Sequence, residues 1–125
     1  MSANLETALE VIKQLSKVQS CKIVFDLLEV EVDKDNILDV LSELKDGDHY
    51  QFRQLTDIAG VDYPNKFPRF EVVYHFLDFK QNIRLRIKTK VSEEESVPSI
   101  TAIYPCANWY EREAFDMYGI NFTDH

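Results

Sequence analysis

Apolar residues recur at three- and four-residue steps near the start of the chain and at every second position farther along. Leu5, Ala8, Leu9, Ile12 and Leu15 follow the helical step, so residues 3–18 are expected to form an amphipathic helix capped by Ser2 or Asn4. From Lys22 to Val32 the chain is β-branched and apolar. Its second half alternates, with Leu28, Val30 and Val32 on one side and Glu29, Glu31 and Asp33 on the other, which is the pattern of a strand with one wet face. The helical step returns at Ile37, Leu38, Leu41 and Leu44, with Asp33 or Asp35 to cap the start and Gly47 to close the end. Asp46-Gly47-Asp48 marks a turn, and residues 52–58 read as the next strand.

Residues 70–78 and 83–91 carry the strongest β pattern, and together they define a hairpin with a specified register. Asp78 opposite Ile83 across a four-residue loop sets Phe76 against Leu85, Tyr74 against Ile87 and Phe70 against Val91, all on one buried face. The other face then pairs His75 with Arg86 and Glu71 with Lys90, and a slip of one residue would destroy both sets. Residues 92–96 form an acidic loop. Val97-Pro98 opens a short element that runs through Tyr104 and ends at Pro105. The expected architecture is α+β, a small, largely antiparallel sheet with helices packed on one face in a single domain over residues 1–125.

The last helix has the most informative sequence, Trp109-Tyr110-Glu111-Arg112-Glu113-Ala114-Phe115-Asp116-Met117-Tyr118. Asn108 as N-cap with Glu111 three residues on makes a capping box, and Gly119 supplies a left-handed stop, so the helix is expected over 108–119. At about 100° per residue, Trp109, Arg112, Glu113 and Asp116 share one face, and Tyr110, Ala114, Met117 and Tyr118 the other. Like charges at Glu113 and Asp116 oppose an isolated helix by roughly 0.2–0.5 kcal/mol, and Arg112 ahead of Asp116 is the weaker order for an ion pair. That face suits a basic partner.

Trp109-Tyr110-Glu111-Arg112-Glu113, then Asp116-Met117-Tyr118-Gly119-Ile120, Phe122 and His125, resemble the signature of the 30 kDa or C subunit family of the proton-translocating NADH:quinone oxidoreductase, respiratory complex I. Leu55-Thr56-Asp57-Ile58, Val61-Asp62-Tyr63-Pro64 and Arg69-Phe70-Glu71-Val72-Val73-Tyr74 resemble the same family in the same order, so the likeness covers about residues 50 to 125. The family's sequences continue past the signature His with Pro and a Leu-Arg-Arg-Ile-Leu run, and this chain stops at His125, so the resemblance implies a truncated product. It also implies an accessory subunit with no redox centre of its own, in the peripheral arm on the cytoplasmic side of the bacterial inner membrane. FMN and iron-sulfur clusters would sit in partner subunits, and electrons from NADH would pass through them to a quinone such as ubiquinone, with proton translocation. The quinone-binding subunit is the expected neighbour, and Trp109, Arg112, Glu113, Asp116 and His125 are expected to dock against it or against the Leu-Arg-Arg tail that this chain lacks. A related subunit of a membrane-bound hydrogenase is the alternative within the resemblance.

Composition narrows the other possibilities. With 22 acidic against 14 basic side chains the net charge is −8, which opposes the phosphate attraction that dominates nucleic-acid binding. The basic stripe Arg84, Arg86, Lys88, Lys90 lacks interleaved aromatic platforms on its face, so pairing with Glu71 and the Glu29–Asp33 segment is preferred to a docking role. No apolar run approaches the roughly 20 residues of a membrane-spanning helix. Cys21 and Cys106 are distant and form no Cys-x-x-Cys, so neither a disulfide framework nor a thiolate metal site is expected. Glu111, Glu113 and Asp116 could serve a metal in a freestanding catalytic domain. Arg112 lies among them and no His follows at the required spacing, so a structural or interface role is preferred. His49 and His75 have no nucleophile beside them, and no glycine-rich phosphate loop exists for NADH or FMN. No catalytic centre is expected in this chain.

Overall fold

The computed structural model describes residues 2–47 and 50–125, with side chains from Leu5 onward. The cap expected from the Ser2 or Asn4 side chain, Asp48 of the turn and His49 lie outside what is described. Helix α1 (Ser2–Lys13) leads into strands β1 (Val18–Val24) and β2 (Leu27–Val32), then α2 (Ile37–Lys45), β3 (Gln54–Asp62), β4 (Phe70–Asp78) and β5 (Ile83–Val91). Strand β6 (Ser96–Pro98), helix α3 (Ala107–Tyr118) and strand β7 (Asn121–Thr123) complete the described elements. The five long strands make one sheet in the order β1-β2-β5-β4-β3, antiparallel except for the β2/β5 pair. A second, two-stranded sheet pairs β6 with β7 in parallel.

The β4/β5 hairpin has the register its alternation dictates: Phe76 faces Leu85, Tyr74 faces Ile87, Phe70 faces Val91, and on the opposite side His75 faces Arg86 and Glu71 faces Lys90. One core holds this apolar face together with Leu28, Val30 and Val32 of β2, Leu5, Ala8 and Ile12 of α1, and Ile37, Val40, Leu41 and Leu44 of α2. Helices therefore cover one face of the sheet. The other face carries charge, and placing β2 beside β5 brings acids to the basic stripe. Lys88 Nζ lies 3.1 Å from Glu29 and 3.6 Å from Glu71, and Lys90 Nζ lies 3.5 Å from Glu31. Arg86 reaches Glu29 at 3.8 Å, so the stripe is largely neutralised within the fold.

Three element boundaries differ from the sequence expectation. The segment read as a single strand over residues 22–32 is a hairpin that begins at Val18 and turns at Phe25-Asp26. That turn has neither Gly nor Asn to announce it, and Phe25 itself takes the left-handed conformation at φ 55°. Helix α1 ends at Lys13, well short of residue 18, because Val18 is already paired with Val32 at the edge of the sheet. Strand β3 runs on to Asp62 through Ala59 and Gly60, poor strand formers, because the Tyr118 ring crosses the sheet there. A Cβ on Gly60 would stand 2.7 Å from Tyr118 Cδ2. Asp33 does act as a cap, accepting the Asp35 amide at 2.9 Å, but of a 3₁₀ turn over Lys34–Asn36 that feeds α2.

Candidate functional site

Helix α3 begins two residues earlier than the capping box requires. Asn108 is inside the helix, Cys106 occupies the N-cap position without a side-chain bond, and the first amides are served by turns from Tyr104 and Pro105. The expected Asn108–Glu111 cap is thus corrected. Glu111 instead points into the protein, with its side chain fully enclosed. Its carboxylate accepts hydrogen bonds from Ser99 Oγ at 2.6 Å and from the Ile100 amide at 2.8 Å. Burial pushes its pKa above the ordinary carboxylate value, while those two donors and the nearby His125 pull it down. Ala107, Glu111, Ala114 and Tyr118, spaced four, three and four, form the inward stripe. That spacing beside two alanines is the sequence signal that could have found Glu111.

The other end of α3 is closed by Gly119 at φ 74°, whose amide returns to Phe115 O. Tyr118 lies against Gly60 and Phe70, so the helix is fastened to β3 at its C-terminal end and to the loop before it through Glu111. Met117, assigned to the packing face, is 71% exposed because it sits on the flank of the buried stripe. Trp109 is 63% exposed, and Arg112, Glu113, Phe115 and Asp116 are exposed with it. Among the described residues none of Arg112, Glu113 and Asp116 forms an ion pair. The Phe115 ring joins this surface as an apolar member that the charge pattern does not reveal.

A cleft of about 400 Å³ runs between α3 and β7, lined by Arg112, Phe115, Asp116, Asn121, Phe122 and His125. His125 folds back rather than extending into solvent. Its Nε2 stands 3.1 Å from Asn108 O and 3.9 Å from the Glu111 carboxylate. The structure thus gathers Trp109, Arg112, Glu113 and Asp116 on one helix face with His125 beside it. With Glu111 turned inward, only Glu113 and Asp116 remain of the carboxylates considered for a metal, and among the described residues no group of three or more suitable ligands occurs.

These residues are an outward-facing helix surface. A family model described as the respiratory-chain NADH dehydrogenase 30 kDa subunit matches residues 30–125, which takes in the whole of this surface. The chain belongs to that family. The NADH-quinone oxidoreductase C subunit of Maricaulis maris is 53% identical over 98 residues, covering 78% of this chain and 49% of that protein. The C subunit of Chelativorans sp. is 47% identical over 109 residues, 87% of this chain and 54% of the relative. The chain described here thus spans about half the length of the 30 kDa relatives it matches. One polypeptide of the membrane-bound sulfane sulfur reductase, an archaeal respiratory membrane complex, superposes with a TM-score of 0.82 at 25% identity, covering 98% of this chain and 72% of that one. No helix among the described residues is long and apolar enough to cross a membrane.

Proposed function

We propose that the chain is a non-redox accessory subunit of the peripheral arm of an NADH:quinone oxidoreductase, and that it works by docking. The observation that carries this reading is the α3 surface: Trp109, Arg112, Glu113 and Asp116 are solvent-exposed, with no ion pair among the described residues, on a helix fixed from behind by the buried Glu111. An exposed Trp and Arg among acids is the composition of an interface anchor, and the two acids suit a basic segment on the other side. The quinone-binding subunit is the proposed occupant, with His125 and the α3–β7 cleft beside the contact. FMN and the iron-sulfur clusters belong to partner subunits, and the chain contributes position to the electron path from NADH to quinone. Its place is the cytoplasmic side of the bacterial inner membrane, held there by protein contacts.

Purification tests the reading. The chain alone should be colourless, and flavin and iron-sulfur absorbance should appear only when oxidoreductase subunits come with it. Flavin or iron-sulfur bands that stay with the isolated chain after high-salt washing would refute it. A second reading, a homologous subunit of another respiratory membrane complex, is favoured by the fold shared with the sulfane sulfur reductase polypeptide. The identity of the co-purifying subunits separates the two.

A further inference from the structure

Two phenylalanine rings stand almost bare at one end of the sheet, far from helix α3 in sequence and unexplained by it. Phe25, in the β1–β2 turn, is 94% exposed, and Phe79, in the β4–β5 turn, is 81% exposed. Because β2 and β5 are adjacent and parallel with Leu27 opposite Arg84, the two turns that precede them lie side by side. Folding explains neither ring. Phe25 also holds a left-handed backbone at φ 55°, a conformation that disfavours any residue with a Cβ and that Gly or Asn would adopt more easily. A large apolar residue kept at a strained, solvated position needs a contact outside the chain.

The surroundings describe that contact. Lys80 and Arg84 are exposed beside the rings, and no ion pair engages either among the described residues. A cleft of about 410 Å³ lies next to this end of the sheet, lined by Leu27 and Arg84, the strand residues nearest the turns, with Thr56, His75, Phe76, Leu77 and Leu85. We propose that this end of the sheet is a second docking surface, with Phe25 and Phe79 seated in an apolar pocket of a partner protein whose rim carries carboxylates facing Lys80 and Arg84. That the partner is another member of the same assembly rests on the accessory-subunit reading. A protein fits better than an anionic lipid surface, since the chain carries a net charge of −8 and Asp26 lies next to Phe25 in the turn.

The test uses the full-length protein in cells that assemble the oxidoreductase. Photoreactive benzoylphenylalanine placed at position 25 or 79 should cross-link, on irradiation of the purified complex, to a subunit polypeptide at an acid-rich segment. The double variant Phe25→Gly/Phe79→Ser should lower recovery of the chain with the complex by about tenfold or more. Its melting temperature should not fall, because Gly at position 25 relieves the backbone. Cross-links to lipid alone, no cross-link in an assembled complex, or undiminished recovery of the double variant would each overturn the proposal. Trp109→Ala separates it from the parent reading. Loss of assembly with Trp109→Ala but not with the double variant overturns only the second surface, whereas a wild-type chain that never accompanies oxidoreductase subunits overturns both.

Discussion

The Glu111 carboxylate accepts the Ile100 amide at 2.8 Å, and through that bond the first turns of α3 are tied to the loop that follows β6. Ser99 Oγ reaches the other oxygen at 2.6 Å, and no side-chain surface of Glu111 touches solvent. A carboxyl group enclosed in this way is held by its donors, and the donors in turn depend on it.

Glu111→Ala should therefore lower stability by about 2–3 kcal/mol, since it opens a cavity and leaves the buried Ile100 amide without an acceptor. Denaturant unfolding of the variant checks this. A midpoint shift equivalent to less than about 0.5 kcal/mol would place the carboxylate outside the structural core of the site.

Tyr74 gives the opposite sign. Its hydroxyl is buried with no hydrogen-bond partner among the described residues, and burial, with the Glu111 charge adding, pushes the phenol well above its ordinary pKa. Removing an unsatisfied polar atom while keeping the ring should be neutral or stabilising, by up to about 1 kcal/mol. Tyr74→Phe is thus expected to melt at or above the parent temperature, and a clear drop would reveal a partner for the hydroxyl.

His75 makes the sheet face sensitive to acid. Arg86 Nε donates to His75 Nε2 at 3.2 Å, which requires an unprotonated nitrogen, and burial together with the Arg86 charge holds the imidazole below its ordinary 6.5. With the folded pKa depressed, the unfolded chain binds the proton first. The contribution of His75 is then fully present above the unfolded value and is lost as pH falls from there through the folded one. Unfolding free energy measured from pH 7.5 to 5 should decline in the parent and decline less in His75→Gln.

The β4/β5 hairpin is legible in the sequence residue by residue because both of its faces repeat with period two, so slipping β5 by one residue would bury Arg86 and Lys88 and expose Leu85 and Ile87. The β1–β2 hairpin is not, since Phe25-Asp26 gives no turn signal and the parallel partnership of β2 with β5 joins distant segments that no local pattern links. On α3 the exposed positions of Trp109, Arg112, Glu113 and Asp116 follow from helical spacing. Glu111 reads as a cap because its true partners, Ser99 and Ile100, come from a loop whose approach depends on the parallel β6/β7 pairing. Helical spacing puts Glu111 on the inward stripe with Ala107 and Ala114, but no local pattern supplies the Ser99 and Ile100 donors that hold it there.

Docking through α3 is the central claim, and Asp116→Lys tests it most directly. Asp116 is exposed and has no ion pair among the described residues, so charge reversal should change the stability of the domain by no more than about 0.5 kcal/mol. Reversal toward a basic partner should sharply reduce the amount of quinone-binding subunit recovered with the chain after co-expression. Thermal unfolding of the isolated variant and quantitative recovery of the pair are read side by side. A melting temperature close to the parent with recovery lost is the predicted result. An unfolded domain, or a variant that binds the quinone-binding subunit as well as the parent does, would contradict it.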